Sequence, residues 1–527
     1  MEYPTVTSLF VDRVSRYAGE KDVFYFRSDD RWQGFSWRRF EEETYEFATA
    51  LLSFNLQHRG SVCILMGNVP EWPISDIGTI MASGVGVGLY PTSSAEQIIY
   101  IINHSDAEFV LVDTREQLQK VLSVRDQLPK VRCIIALDAD GANDVIAYGD
   151  FIERGREERA RLAPLLKERA EGASPDDVAI MVYTSGTTGA PKGACLSHRY
   201  IINSVESLRQ TIPIYDTDVS FSYLPFCHVA ERISGLYNRL YAGASAYFVD
   251  DLARLGEYML EVKPTVFASL PRFFEKIYAR IMSDGSTRVK DYFGGRIRLL
   301  TSGGAPLPLE VAEFFAAAGL PILQAYGLTE NVCVAFNRPD NYKFGTVGPP
   351  MPGCEVRIAD DKEILVRSEM MFSGYYKAPE ETAKMFDDGW LLTGDLGEID
   401  ADGFLKIIGR KKELIVTSTG KKVAPTLLEN MLKENHLISQ AMVYGEGRSY
   451  LVALITLNAP ASYGTVSDIV AGVNRRVSST ESIKRIAILP RDFEIARDEI
   501  TPTGKLKRDV ITNRFRDLID RLYLATD

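Results

Sequence analysis

The stretch Thr184-Ser185-Gly186-Thr187-Thr188-Gly189-Ala190-Pro191-Lys192-Gly193 sets three glycines, four hydroxyls and one lysine within ten residues. It follows directly on the apolar run Ala179 to Tyr183, which reads as a strand. Glycines let backbone amides approach an anion, hydroxyls add hydrogen bonds and the lysine supplies charge, so the loop suits a polyphosphate. An ordinary surface hairpin also uses Gly and Thr, and the loop alone leaves that reading open. A Walker A loop is excluded, because Pro191 and Gly193 flank the lysine where Gly and Ser or Thr are required.

The surroundings alternate helical and strand patterns, as a layered α/β protein does. Between Trp72 and Asp113 these are a small-residue helical stretch, an apolar run at Val85 to Tyr90, a helical pattern from Ala95 to His104 and a second run at Phe109 to Val112. Further strands are expected at Thr265 to Leu270, Ile297 to Leu300 and Pro321 to Ala325. A charged stretch ending at Glu171 and the loop Gly172 to Asp177 mark a boundary between structural units. Trp390 to Ile408 reads as a hairpin, with Asp400-Ala401-Asp402-Gly403 at its turn. A small final domain is expected from about Arg410, in keeping with a chain of 527 residues, which exceeds what one core serves.

No run of about 18 apolar residues occurs, and Met1-Glu2-Tyr3-Pro4-Thr5 carries no export signal, so a cytoplasmic location without a membrane span is expected. The six cysteines lack CxxC spacing, which signals neither zinc nor a disulfide framework. A net charge of -11 argues against a nucleic-acid partner, whose phosphates require a basic face.

Tyr183 to Gly193 resembles the signature of the adenylate-forming superfamily, which includes acyl-CoA synthetases, luciferases and the adenylation domains of peptide synthetases. The resemblance continues in order through Ser302-Gly303-Gly304-Ala305-Pro306, Tyr326-Gly327-Leu328-Thr329-Glu330, Thr393-Gly394-Asp395, Gly409-Arg410-Lys411-Lys412 and Thr501-Pro502-Thr503-Gly504-Lys505. It implies an α/β fold class: a large N-terminal domain, residues 1–409, of layered α/β subdomains plus a β-rich subdomain. A small mobile C-terminal α+β lid, residues 410–527, would swing on a hinge near Lys412.

The resemblance also implies a role for each motif. Thr184, Ser185, Gly186, Thr187, Thr188, Gly189 and Lys192 would hold the ATP phosphates. Gly303, Gly304 and Ala305, small enough for a flat ring to lie on their backbone, would take adenine together with Gln324, Ala325, Tyr326 and Gly327. Thr329 would contact phosphate, and Glu330 would hold Mg2+, which prefers carboxylate oxygen. Asp395 would accept both ribose hydroxyls, and Arg410 would lie near ribose and phosphate. Lys505 would bridge the carboxylate and the α-phosphate. His228 would stand beside the acyl entrance, and no aspartate for an α-amine is apparent in that region. Each residue taken alone has a plainer reading: a turn for Gly303-Gly304 or Asp395, a solvated loop for Glu330 or Lys505, a buried helix cap for His228.

The passages Lys263 to Arg272 and Gly409 to Thr417 look most like long-chain fatty acyl-CoA synthetases. Such an enzyme joins a carboxylic acid to ATP, then passes the acyl group to CoA. Three departures stand out. Thr419 precedes Gly420 and Lys421 where relatives carry a glycine beside the pantetheine arm, Asn331 follows Glu330 near the presumed acyl pocket, and the segment between Asn458 and Val473 is short. A carrier-protein thiol in place of CoA, an enzyme of one half-reaction, and a noncatalytic acyl-nucleotide-binding protein are the alternatives. A homodimer and a peripheral membrane contact are compatible with the sequence.

Overall fold

Short apolar runs separated by amphipathic helices build parallel sheets covered on both faces, and the first half of the chain does so. The computed structural model describes residues 2–19, 21–139, 141–142, 144–184, 190–286, 288–501 and 504–524. Strands Ser61–Leu65, Val85–Gly88, Ala107–Val112, Cys133–Ala136 and Val145–Ala147 pair in parallel. Helices Glu71–Met81, Ala95–His104 and Arg115–Leu122 form the crossovers. The helix Glu71–Met81 is buried along almost its whole length, which accounts for its small, apolar composition.

Strand Val178–Thr184 joins the same sheet beside Val85–Gly88, and Lys192–Ser197 pairs with it in antiparallel register. The loop 172–177 therefore does not separate two sheets. The charges of the preceding helix, Tyr148–Glu171, belong to its solvent face, while Tyr148, Phe151, Ile152, Leu162 and Leu166 pack inward.

A second layered unit holds Val266–Ser269, Leu299–Ser302 and Ile322–Leu328 in parallel, with Asn331–Phe336 folded back on the last. Each lies within a few residues of the run expected from the sequence. A third sheet combines Val219–Ser222 and Ser245–Phe248 with the early hairpin Asp22–Ser28 and Arg31–Ser36. The β-rich portion is the antiparallel set Cys354–Ile358, Glu363–Ser368, Trp390–Ile399 and Leu405–Arg410. At its expected turn Asp400 Oδ1 accepts the amides of Asp402 and Phe404, both at 3.0 Å, and Gly403 has φ 86°.

A short 3-10 turn, Lys411–Glu413, leads into the C-terminal domain. Its sheet of Ile438–Tyr444, Leu451–Leu457 and Ile483–Ile488 carries helices Pro425–Lys433 and Tyr463–Asn474 over one core, and Ile511 and Ile519 on the other side. Among the described residues no helix is long and apolar enough to cross a membrane, and the six cysteines form no disulfide.

Candidate active site

The strand pair Val178–Thr184 and Lys192–Ser197 sets Thr184 opposite Lys192 at the mouth of the loop. Ser185, Gly186, Thr187, Thr188 and Gly189 lie outside the described residues. Lys192 Nζ donates to Glu381 at 2.5 Å and lies 5.1 Å from the centre of the Tyr375 ring. The lysine holds the Glu381 carboxyl down to about 2. Both partners are partly exposed, so the pair is weak and a polyanion can displace it.

Thr329 and Glu330 sit at the two-residue tip of the hairpin Ile322–Leu328 and Asn331–Phe336. Gly327 is required there, since a Cβ would come within 2.0 Å of the Val332 carbonyl oxygen. Tyr200, fully buried, braces the tip: its hydroxyl donates to the Thr329 carbonyl at 2.9 Å and accepts the Val332 amide at 3.1 Å. The Tyr375 hydroxyl donates to the buried Glu330 carboxylate. Neither tyrosine was indicated by the motifs, because both act across more than 40 residues of chain.

Gly304 takes φ 79°, and a Cβ there would lie 3.2 Å from Leu270. Gly303 lies against Ala325, and the Gln324 carboxamide accepts the Leu307 amide at 3.0 Å. Gln324 thus braces the small-residue loop from beneath through its side chain. Asn331 is wholly buried: its Nδ2 donates to the Cys333 carbonyl and its Oδ1 accepts from Ser368 at 2.6 Å. That amide is engaged inside the domain.

Asp395 corrects the plain reading of an exposed turn residue. It is 4% exposed, in the middle of strand Trp390–Ile399 and directly across the ladder from Arg410. The Tyr326 hydroxyl donates to Oδ2 at 2.6 Å and Arg410 Nε donates to Oδ1 at 2.8 Å. Each carboxylate oxygen retains a second lone pair. Burial keeps the Tyr326 phenol protonated and Asp395 reinforces this, so the tyrosine remains a donor.

Lys505 stands on a tight hairpin in which the Thr501 amide donates to the Lys505 carbonyl at 2.8 Å and Gly504 has φ 79°. The residue is exposed as a whole, yet protein crowds its charged end, and burial, with Arg410 next, lowers its pKa. Asp395, Glu413 and Glu330 act on it in the opposite sense. His228 also feels Lys505, and burial pushes its imidazole down to about 4. Its Nδ1 accepts the Ala230 amide at 3.2 Å, at the first residue of the π-helical segment Ala230–Tyr237. The neutral ring therefore carries its proton on Nε2.

A pH effect follows from two histidines. Buried His198, whose Nδ1 accepts the Val6 amide at 3.1 Å, is likewise pushed down to about 4. Both folded values lie below the unfolded value of about 6.5, so on acidification the unfolded chain binds protons first. Stability is complete above about pH 6.5 and falls toward pH 4. At pH 5 His198 is expected to cost on the order of 2 kcal/mol and the half-buried His228 less. Thermal melts at pH 7 and pH 5 check this; His198→Asn should flatten the difference, and an unchanged difference would reject the assignment.

In the C-terminal domain Thr419 lies exposed on a turn with Gly420 at φ 76°, its hydroxyl 2.9 Å from that of Thr417. Lys421 Nζ donates to Thr480 at 3.1 Å, and Lys412 is exposed on the 3-10 turn. Arg508 grips both oxygens of Glu429 at 2.7 and 2.6 Å, and Lys507 pairs with Asp498.

Among the described residues no group of three or more His, Cys, Asp or Glu side chains could cage a metal. Magnesium is bound through one or two carboxylates plus substrate phosphates. Glu330 offers such a carboxylate, with one oxygen held by Tyr375.

The family model described as AMP-binding enzyme matches residues 10–376, and that of the AMP-binding enzyme C-terminal domain matches residues 412–527. The long-chain-fatty-acid CoA ligase FadD15 of Mycobacterium tuberculosis is 33% identical over 550 residues, covering 90% of each chain. The long-chain-fatty-acid CoA ligase ACSBG1 of Homo sapiens is 30% identical over 620 residues, covering 98% of this chain and 85% of its own. Among solved structures, the anthranilate CoA ligase AuaEII in complex with anthranoyl-AMP superposes with a TM-score of 0.83 at 22% identity, covering 97% of both chains. ATP-bound MatB from Rhodopseudomonas palustris gives 0.79 at 23% identity, covering 98% of this chain and 99% of its own.

Proposed function

Because the chain belongs to the AMP-binding enzyme family, we propose that it is an acyl-CoA ligase for a fatty or other bulky hydrophobic acid. In the first step a carboxylate oxygen attacks the α-phosphorus of ATP, forming acyl-AMP and expelling pyrophosphate. In the second a CoA thiol attacks the acyl carbonyl, losing its proton and releasing AMP. One observation carries the reading: Arg410 Nε donates to Asp395 Oδ1 at 2.8 Å, and Lys505 of the C-terminal domain feels the charges of both, of Glu330 and of Glu413, while His228 feels that of Lys505.

Within that cleft Lys505 neutralises charge on the attacking carboxylate and α-phosphate, where fixed charge is most effective. Asp395 accepts the ribose hydroxyls on its remaining lone pairs, and Tyr326, pinned by its hydroxyl, presents its ring to adenine. Gly303, Gly304 and Ala305 leave the space that this base needs. Thr184, Lys192, Thr329 and the loop between Thr184 and Lys192 hold the phosphates, with Glu381 leaving Lys192 as they bind. Magnesium, where bound, would be held by Glu330 and would screen the phosphate charge. His228, neutral and protonated on Nε2, donates toward the acyl oxygen. Lys412 is the hinge on which residues beyond it turn between steps, bringing Thr419, Gly420 and Lys421 toward CoA.

A library of carboxylic acids, incubated with ATP and CoA and assayed for AMP and thioester, tests the function. AMP and thioester are expected together, and most strongly with long or bulky apolar acids. Release of neither with any acid would overturn the proposal. Adenylation without thioester would assign the acyl group to a carrier-protein thiol instead.

A further inference from the structure

We propose that Arg272 is a positioning residue for the adenylation half-reaction: it latches the C-terminal domain in the orientation that presents Lys505. The inference rests on the two-step reading above. Arg272 lies in the first turn of helix Pro271–Asp284, which belongs to the large domain. Its guanidinium Nη2 donates to Ser439 Oγ at 2.9 Å, Asn458 Oδ1 at 3.3 Å and Asp492 Oδ2 at 3.4 Å, all in the small domain. Apart from the bonds of Arg410 and Lys411 at the hinge, the side-chain hydrogen bonds between the two domains among the described residues come from this side chain.

The acceptor is prepared beforehand. Ser439 donates to Asp492 Oδ2 at 2.7 Å and Thr456 to Oδ1 at 2.5 Å, which fixes the carboxylate before Arg272 arrives. The other arm of the planar guanidinium, Nη1, donates to Glu275 Oε2 at 3.4 Å on its own helix, so the rigid fork is anchored in one domain while Nη2 reaches into the other.

Both ends of the latch lead to the cleft. On the large-domain side Leu270 abuts Gly304, and Ser269 accepts the Tyr223 hydroxyl at 2.6 Å, in the segment that runs to His228. On the other side Arg491 donates to the Asp492 carbonyl at 2.7 Å and grips buried Glu499 at 2.6 and 2.8 Å. The Glu499 carbonyl accepts the Lys507 amide, and the bridge Ile500 to Leu506 closes the hairpin that carries Lys505. A rotation of the small domain must break the three bonds of Arg272, while those from Asp492 to Lys505 travel with it. The latch therefore favours one step and must open for the other.

Arg272 and Asp492 are 38% and 39% exposed, so the latch is worth about fivefold in the equilibrium between orientations. Three assays test it: pyrophosphate exchange, thioester release from supplied acyl-AMP and CoA, and the rate of tryptic cleavage at Lys411 and Lys412. Arg272→Ala should slow exchange by up to about fivefold, leave thiolation equal or faster, and speed hinge cleavage by a similar factor. Arg272→Lys should recover part of the exchange. Asp492→Ala should act in the same direction, and the double variant should add little to either single change. Equal losses in both half-reactions, additive losses in the double variant, or unchanged cleavage would overturn the latch. Should wild type perform neither half-reaction, the proposed function falls and the cleavage rate alone decides on the latch.

Discussion

Lys505→Ala is expected to lose acyl-AMP formation, with pyrophosphate exchange falling about 100- to 1,000-fold, as removal of one charge-stabilising donor commonly does. The same variant should still make thioester from supplied acyl-AMP. The residue supports this separation. Its backbone is tied into the hairpin by the Thr501 amide at 2.8 Å and by its own amide on Thr501 Oγ1 at 3.0 Å, so truncation leaves the loop standing. Only the ammonium in the cleft is removed, between Arg410 on one hand and Asp395, Glu413 and Glu330 on the other. Thr419→Gly, at an exposed turn, should leave exchange unchanged and thiolation no slower. Intact exchange in Lys505→Ala would refute its role. Loss of thiolation as well would show that the hairpin serves both steps.

The motifs were legible because each is local: a strand, a glycine turn and a polar tip occupy a few consecutive residues. The strands at Val266–Ser269, Leu299–Ser302 and Ile322–Leu328 follow from short apolar runs, and the turn at Asp400 follows from its own side chain capping two amides. The overall family, read from six ordered motifs, is borne out by likeness along nearly the whole chain.

What stayed hidden depends on pairing between distant segments. Lys192 meets Glu381 across 189 residues, and Val332 meets Tyr200 across 132. Arg508 looks like free surface charge beside Lys507, yet Glu429 takes it up from 79 residues away. The charged stretch ending at Glu171 and the loop after it suggested a boundary between structural units, because a one-dimensional pattern does not show which sheet the next strand will join. Arg272 falls within a passage that marked the enzyme branch, but its acceptors Ser439, Asn458 and Asp492 are assembled only when two domains meet.

Asp395→Ala is expected to weaken ATP binding by about 30- to 100-fold and also to lower stability by about 2 to 3 kcal/mol. The second effect arises because the carboxylate is structural as well as ligand-facing. It is buried within a ladder, and it holds the Tyr326 hydroxyl and Arg410 Nε on opposite oxygens. Truncation leaves a buried phenol donor without its acceptor and a guanidinium without its counter-charge. The partial exposure of Arg410, 40%, limits that penalty to the lower end of the range for buried pairs. Tyr326, released from its anchor, would also lose the fixed ring orientation needed to stack on adenine. Asp395→Asn separates the two contributions: the amide keeps the shape and one acceptor oxygen, so it should retain more stability than alanine while still binding nucleotide poorly. Calorimetric titration of ATP at a temperature where all three proteins remain folded measures the affinity, and melting curves measure the stability. Unchanged affinity would remove Asp395 from the nucleotide site. An unchanged melting temperature in the alanine variant would show that the bonds to Tyr326 and Arg410 contribute nothing to the fold.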